Sequence, residues 1–434
     1  MSLIPAVRSF AIISLGCPKN TVDSEILKGG LMQAGMEFKA DPAEADAVII
    51  NTCGFIQPAK EESIETILEI LRLKKTGVKK VVVMGCLSQR YYAQIKAEIP
   101  EIDGLFGVES QSEVIRFLNG SQNICPDLET IRQLMTPRHF AYLKIAEGCD
   151  NSCSFCAIPL IRGRQRSRSI ESLLREAEYL KSQEVKELIL IAQDTTRYGS
   201  DLPGKVSLKT LLEELLAARL FPWLRLMYAN PDFWRDDLNH ILAQHPEFCP
   251  YIDIPIQHAS PRLLKLMNRG ANPKRLKATL RNIRRYRPDV ALRTSVMVGF
   301  PSETEAEFEE LLNFIEEIRF ERLGVFTYSA EEDTVAEKFD DDIPEPEKER
   351  RRDLLMQIQW EIGEDFARRK IGQKITVLIE AQDGDEYIAR SVWDAPEIDC
   401  NVRVKSPRIL SIGDFYEVTI IGVENLDLRA ETNG

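Results

Sequence analysis

Short apolar runs recur along the chain with helical patterns between them. FAIISLG (Phe10–Gly16), DAVIINT (Asp46–Thr52) and KKVVVMG (Lys79–Gly85) are β-branched runs bounded by turn residues. Each is followed by a stretch with helical spacing, such as AKEESIETILEILRLKK, and strands alternating with helices predict a parallel α/β sheet. The first strand is not followed by a glycine-rich phosphate loop. From Asn119 to His139 the sequence turns polar and irregular, with prolines, and predicts a linker.

A second series follows. AYLKIAEG (Ala141–Gly148), ELILIAQD (Glu187–Asp194), LRLMYAN (Leu224–Asn230), YIDIPIQ (Tyr251–Gln257), LRTSVMVGF (Leu292–Phe300) and LGVFTYS (Leu323–Ser329) predict strands, with helices between them. Six β/α units predict a barrel or partial barrel, which binds its ligands at the C-terminal ends of its strands. A charged helix from about Glu345 to Lys370 leads to short strands and turns from Ile371 onward, the pattern of a small antiparallel β-barrel. The expected division is 1–120, a linker at 121–138, 139–370 and 371–434.

Composition narrows the class. The chain has 434 residues, which is too many for one ordinary core. It is 44% hydrophobic and 29% charged, as a globular protein is. No apolar run approaches the roughly 18 residues of a membrane span. The N-terminus lacks the features of a signal peptide, so a cytoplasmic protein is expected. A net charge of −12 leans away from nucleic acid as the main partner.

In a reducing compartment, nine cysteines in a chain of this size point to metal or catalysis rather than to disulfides. EGCDNSCSFC (Glu147–Cys156) places Cys149, Cys153 and Cys156 within eight residues, directly after the first strand of the second series. Thiolates select iron–sulfur clusters, zinc or copper(I). A fully protein-ligated 4Fe–4S cluster takes four cysteines, so three leave one iron open to a small molecule. The competing reading is a structural zinc completed by a distant residue. Cys17, Cys53 and Cys86 look scattered, yet each directly follows one of the three N-terminal strands. Ligands of open α/β sheets bind along that shared edge, so these cysteines are expected to converge on a second cluster. The alternative is three buried thiols acting as small hydrophobes. Cys125, Cys249 and Cys400 lack comparable partners and are expected to be free or buried thiols.

C-x-x-x-C-x-x-C after the first strand of a β/α barrel resembles the signature of the radical S-adenosylmethionine (SAM) enzymes. The resemblance implies that SAM chelates the open iron and is cleaved there to methionine and a 5′-deoxyadenosyl radical. It places Phe155 at the aromatic position near adenine, and Gln193 and Asp194 where the methionine amine is held. Arg293, in the fifth strand, is a candidate for a bidentate pair with a carboxylate. Structural hydrogen bonding inside the barrel is the other reading for these residues.

The three parts together resemble the methylthiotransferases, with the last part similar to a TRAM domain. SLGCPKNTVDSE (Ser14–Glu25), DIPIQHAS (Asp253–Ser260) with His258, and CAIPLIRGRQRSR (Cys156–Arg168) resemble the RimO type, which modifies an aspartate β-carbon in small-subunit ribosomal protein twelve. The tRNA-modifying MiaB type is the alternative, and an iron–sulfur electron-transfer protein is the alternative of another class. The resemblance implies two 4Fe–4S clusters, two uses of SAM and a flavodoxin- or ferredoxin-type reductant. From Ile371 onward there are six basic and twelve acidic residues. That balance suits a basic protein better than tRNA, and no membrane partner is expected. The acidic run Glu331–Asp342 leans the same way, although a solvated loop is the simpler reading. The basic stretch Arg262–Arg287 pulls toward RNA, unless it too is a solvated helix face.

Overall fold

The structure is a computed structural model, and it describes residues 7–120, 131–270 and 272–432. Cys125 lies outside the described residues, as does the first half of the expected linker.

The N-terminal sheet has five parallel strands. At its centre Ser9–Ser14, Ala47–Thr52 and Lys80–Gly85 lie side by side, with Glu37–Phe38 and Gly104–Leu105 at the edges. Alternation sends Phe10, Ile49 and Val82 to one face and Val48, Ile50 and Val83 to the other. Helices cover both faces, which is why these strands are apolar throughout.

The second sheet has six parallel strands in sequence order: Phe140–Lys144, Glu187–Ile191, Trp223–Leu226, Phe248–Asp253, Ala291–Val298 and Arg322–Thr327. Its end strands do not pair, so the sheet is a partial barrel. Leu143, Leu190, Leu226 and Ile252 face the outer helices. Tyr142, Ile189, Trp223 and Tyr251 face inward.

That inner face is covered by the last part of the chain. Lys374–Asp383, Glu386–Ser391, Val402–Lys405, Phe415–Glu424 and Asp427–Thr432 close a five-stranded barrel, in which only Val402–Lys405 and Asp427–Thr432 pair in parallel. Its segment 391–400 enters the cup. Trp393 and Ala395 join the inner-face core, and the Tyr251 hydroxyl donates to Asp399 at 2.7 Å. Arg225 donates to the Val392 carbonyl at 3.0 Å, and Trp393 Nε1 donates to the Asp289 carbonyl at 2.8 Å.

This docking changes the charge reading of the C-terminal segment. Asp394 pairs with Arg322, Glu380 pairs with Arg390, and Asp399 lies 3.7 Å from Arg293. Part of the acidic surplus is therefore consumed inside the molecule and does not face a partner. Glu331, which opens the expected solvated acidic loop, is buried against Lys60 at 3.0 Å and Arg90 at 2.9 Å of the N-terminal sheet domain. The described half of the linker is pinned as well. Arg132 is buried and donates to Glu25, to Glu176 and to the Tyr142 carbonyl.

Candidate metal centres and the space between them

The three central N-terminal strands bring their cysteines to one edge. Cys17 caps the helix Pro18–Gln33, Cys53 follows its strand directly, and Cys86 opens the helix Cys86–Arg90. Burial pushes the Cys53 thiol up and the Cys86 thiol to about 11, and the charge of Cys17 adds to both. Gly16 makes the approach possible. It has φ +87°, and a β-carbon there would lie 2.7 Å from Cys53 Cβ.

The second set lies on the loop after Phe140–Lys144. The Asn151 N–H donates to Cys149 Sγ at 3.4 Å, and Arg269 Nη1 donates to Cys153 Sγ at 3.6 Å. Burial pushes the Cys149 thiol to about 11 and the Cys156 thiol to about 12, with neighbouring Cys153 adding to both. The Asn151 N–H works against that rise at Cys149, toward the thiolate, which is the metal-binding form.

All eight described cysteines are free. Among the described residues, no group of three His, Cys, Asp or Glu side chains is arranged to hold a single metal ion. A cubane binds each thiolate through a different iron, so its ligands need not meet at one point. Three thiolates on three different irons are what a cubane with one open iron takes, and each set offers three. Gly148 shapes the second loop, with φ +72° and the Arg164 carbonyl 2.1 Å from where a β-carbon would stand. Gly148→Ala is expected to add about 1–3 kcal/mol of local strain. Reduced iron occupancy after anaerobic reconstitution, with unchanged far-UV circular dichroism, is the expected readout.

The two sets are neighbours. Cys86 shares a small buried cluster with Ala157 and Ile161, so the residue after Cys156 packs in the same cluster as Cys86. Arg162 lies beside them. It donates to Asn20 Oδ1 at 2.6 Å, to Glu147 Oε2 at 2.8 Å and to Asp23 Oδ2 at 3.2 Å. Lys144 pairs with the same two carboxylates, at 2.7 Å from Glu147. Asn20 also donates to the carbonyls of Leu15 and Thr52, which ties this network to the N-terminal sheet edge. Burial alone would raise the pKa of Glu147, but the charges of Lys144 and Arg162 hold it well below its ordinary 4.5. Lys19 is also buried here, and desolvation pulls its ammonium down to about 8 against the raising charge of Cys17.

A cleft of about 380 Å³ opens beside Cys153, lined by Asn151, Arg197, Asn230, Phe233 and Arg269 among others. Its volume falls in the range of small-molecule sites.

Three family models match the chain in order. They are the uncharacterized protein family UPF0004 at residues 9–107, the radical SAM superfamily at 143–315 and the TRAM domain at 371–432. The chain is 45% identical to the ribosomal protein uS12 methylthiotransferase RimO of Clostridioides difficile, over 97% of this chain and 98% of that one. The protein of the same name from Pelotomaculum thermopropionicum is 47% identical over the same shares. The chain belongs to the RimO family of methylthiotransferases. The Aquifex aeolicus RimO is 46% identical over 96% of this chain and 95% of its own length. Solved structures support the fold alone. The radical SAM methyltransferase TsrM from Kitasatospora setae, with tryptophan and a SAM analogue bound, aligns with a TM-score of 0.56 at 16% identity, over 74% of this chain and 73% of that one. The cobalamin-dependent SAM radical enzyme OxsB aligns at 0.51 and 13%, over 77% and 55%.

Within this RimO-family chain, the other residues singled out in the sequence have definite places. Phe155 is half-buried against the cluster of Leu263, Met267 and Phe300. Gln193 Nε2 donates to Glu147 at 2.8 Å, while its buried Oε1 has no partner. Asp194 accepts from Asn151 at 2.6 Å and Asn230 at 3.1 Å, so it joins the cysteine loop to the third strand end. Arg293 is held at 2.9 Å by Asp253. His258 is fully buried, accepting at Nδ1 from the Ser260 N–H and facing Glu303 through Nε2 at 3.2 Å. It therefore braces its loop. Cys249 is buried in the inner-face core, and Cys400 is partly buried.

Sequence reading missed Lys19, Asn20, Asp23, Lys144 and Arg162. One signal was available: the helix after Cys17 carries polar residues at the core-facing spacing of Asn20, Asp23, Ser24 and Leu27.

Proposed function

We propose that this protein adds a methylthio group to the β-carbon of an aspartate in ribosomal protein uS12. The observation that carries this reading is the adjacency of two three-cysteine sets on one shared space, in a chain of the RimO family. In this reading Cys149, Cys153 and Cys156 hold one 4Fe–4S cluster, and Cys17, Cys53 and Cys86 hold another. Together with SAM the clusters supply a carbon-centred radical, a methyl group and a sulfur, chemistry that no side chain offers.

The chain's own residues bind and position. Arg269 and the Asn151 N–H offset charge on Cys153 and Cys149. Gln193, through its unpartnered Oε1, is oriented by Glu147 to accept from an amine, and Asp194 stands beside it. Phe155 lies on the cysteine loop where an adenine ring would be covered. Arg293, oriented by Asp253, keeps its other guanidinium donors for a carboxylate. The polar cleft beside Cys153 is a route for a small molecule to that loop. A flavodoxin- or ferredoxin-type partner supplies electrons, and the protein works in the cytoplasm. Among the described residues no helix is long and apolar enough to cross a membrane.

Mass spectrometry of uS12 from cells lacking this protein tests the reading. The protein is expected to lose the mass of one methylthio substitution, and re-expression is expected to restore it. Unchanged uS12 together with a missing tRNA modification would instead assign the tRNA substrate. Protein purified anaerobically is expected to be brown and to carry roughly eight irons, four per cubane.

A further inference from the structure

Lys19 is a buried cation without a carboxylate partner. Its side chain is 7% exposed and comes from the first turn of the helix that Cys17 caps. Its Nζ stands 3.1 Å from the centroid of the Tyr228 ring, at the end of the third strand of the partial barrel. Among the described residues it has no ion pair or hydrogen bond. The carboxylates near it are already committed. Asp253 is held by Arg293 at 2.9 Å and by the Tyr228 N–H at 3.1 Å. Glu147 and Asp23 are taken by Lys144 and Arg162.

A desolvated ammonium is costly unless an anion accompanies it. Here the fold also invests strain to seat it. Tyr228 has φ +60°, a left-handed conformation that bulky residues rarely adopt, and its ring forms the platform under Lys19. The platform, the buried charge and the lack of a carboxylate of its own mark a receiving site for a substrate carboxylate. It lies two residues from Cys17, on the side facing the partial barrel.

We propose that Lys19 binds the side-chain carboxylate of the substrate aspartate and thereby sets the preference for an acidic over an amide side chain. This inference rests on the methylthiotransferase reading above. In aspartate the β-carbon is bonded directly to the carboxylate carbon. A carboxylate held on Lys19 therefore places the reacting carbon beside the first cysteine set. Arg293, the other cation on this wall, already pairs with Asp253.

The test uses the full-length, cluster-loaded enzyme, purified uS12, and uS12 with the target aspartate changed to asparagine. The wild-type enzyme is expected to prefer the acid by about a hundredfold in kcat/KM, the scale of a lost buried charge contact. Lys19→Gln is expected to bring the two substrates within about fivefold, by losing activity on the acid. Lys19→Arg keeps the charge and is expected to keep the preference, so it serves where the glutamine variant fails to fold. A Lys19→Gln enzyme that slows both substrates equally would reduce Lys19 to a counter-charge for the cysteine set and overturn the inference, as would an arginine variant without the preference. Wild-type enzyme that leaves uS12 with its native aspartate unmodified would overturn the functional reading itself, and this inference with it.

Discussion

Changing Cys149, Cys153 and Cys156 together to alanine is expected to abolish 5′-deoxyadenosine formation from SAM. Changing Cys17, Cys53 and Cys86 together is expected to leave that cleavage running and to stop methylthio transfer. The asymmetry follows from placement. The first group shares its loop with Asn151, which donates to Asp194, lies next to Glu147, which accepts from Gln193, and borders the 380 Å³ cleft through Cys153. The second group lies on another sheet, reached across Cys86, Ala157 and Ile161. Each triple variant is expected to retain about four irons, one cubane. Without its cofactor the chain has no group able to break an unactivated C–H bond, so the loss should reach the detection limit. Chromatography of reaction mixtures with dithionite and SAM reads both arms. Equal loss of 5′-deoxyadenosine in the two variants would refute the assignment of separate roles.

Arg162→Met is expected to destabilise the protein by about 3–5 kcal/mol, as removal of one partner from a buried ion network does. Arg162 is almost fully buried, and its loss leaves Asp23 and Glu147 sharing Lys144 alone. The cost falls on the junction between the two sheets, because Asp23 and Asn20 belong to the N-terminal helix and Glu147 to the short strand Ala146–Glu147 that leads into the cysteine loop. Limited proteolysis is expected to cut the variant between these parts, and its denaturation midpoint should fall. Arg162→Lys keeps the charge but cannot span Asn20, Asp23 and Glu147 at once, so it should recover only part of the loss. The same network gives a pH dependence. Glu147 has its folded pKa depressed below 4.5, so its contribution is present above the unfolded value and is lost as the pH falls through the folded one. Wild-type protein should therefore lose stability on acidification below about pH 4.5, and Arg162→Met should show a shallower loss.

The strands and both cysteine sets were legible because their signals are local. A β-branched run ending in a cysteine says where the thiol stands, and parallel strands share an edge. The helix Pro18–Gln33 was less legible. Its Lys19, Asn20, Asp23, Ser24 and Glu25 are all buried, although such residues read as a solvated face. Burial there is satisfied by partners far away in sequence, such as Arg162 and Arg132, which no periodicity reveals. Arg293 was legible as a fifth-strand arginine able to pair with a carboxylate, but its pairing with Asp253 depends on register between neighbouring strands. The acidic excess after Ile371 counted correctly, yet composition cannot distinguish an aspartate facing a partner from Asp394 facing Arg322. The basic stretch Arg262–Arg287 divides likewise. Lys277, Arg281 and Arg284 are bound to Glu317 and Glu321, so much of its charge is already neutralised.

The segment 391–400, which fills the inner face of the cup, is synthesised well after the strands it covers. Tyr142, Trp223 and Tyr251 leave the translating ribosome long before Trp393 and Asp399 can cover them. Parts of a chain fold as they emerge, so the central sheet waits with its inner wall open until the segment 391–400 arrives. Its maturation thereby depends on that later segment, and a product that stops before Trp393 leaves the inner wall uncovered.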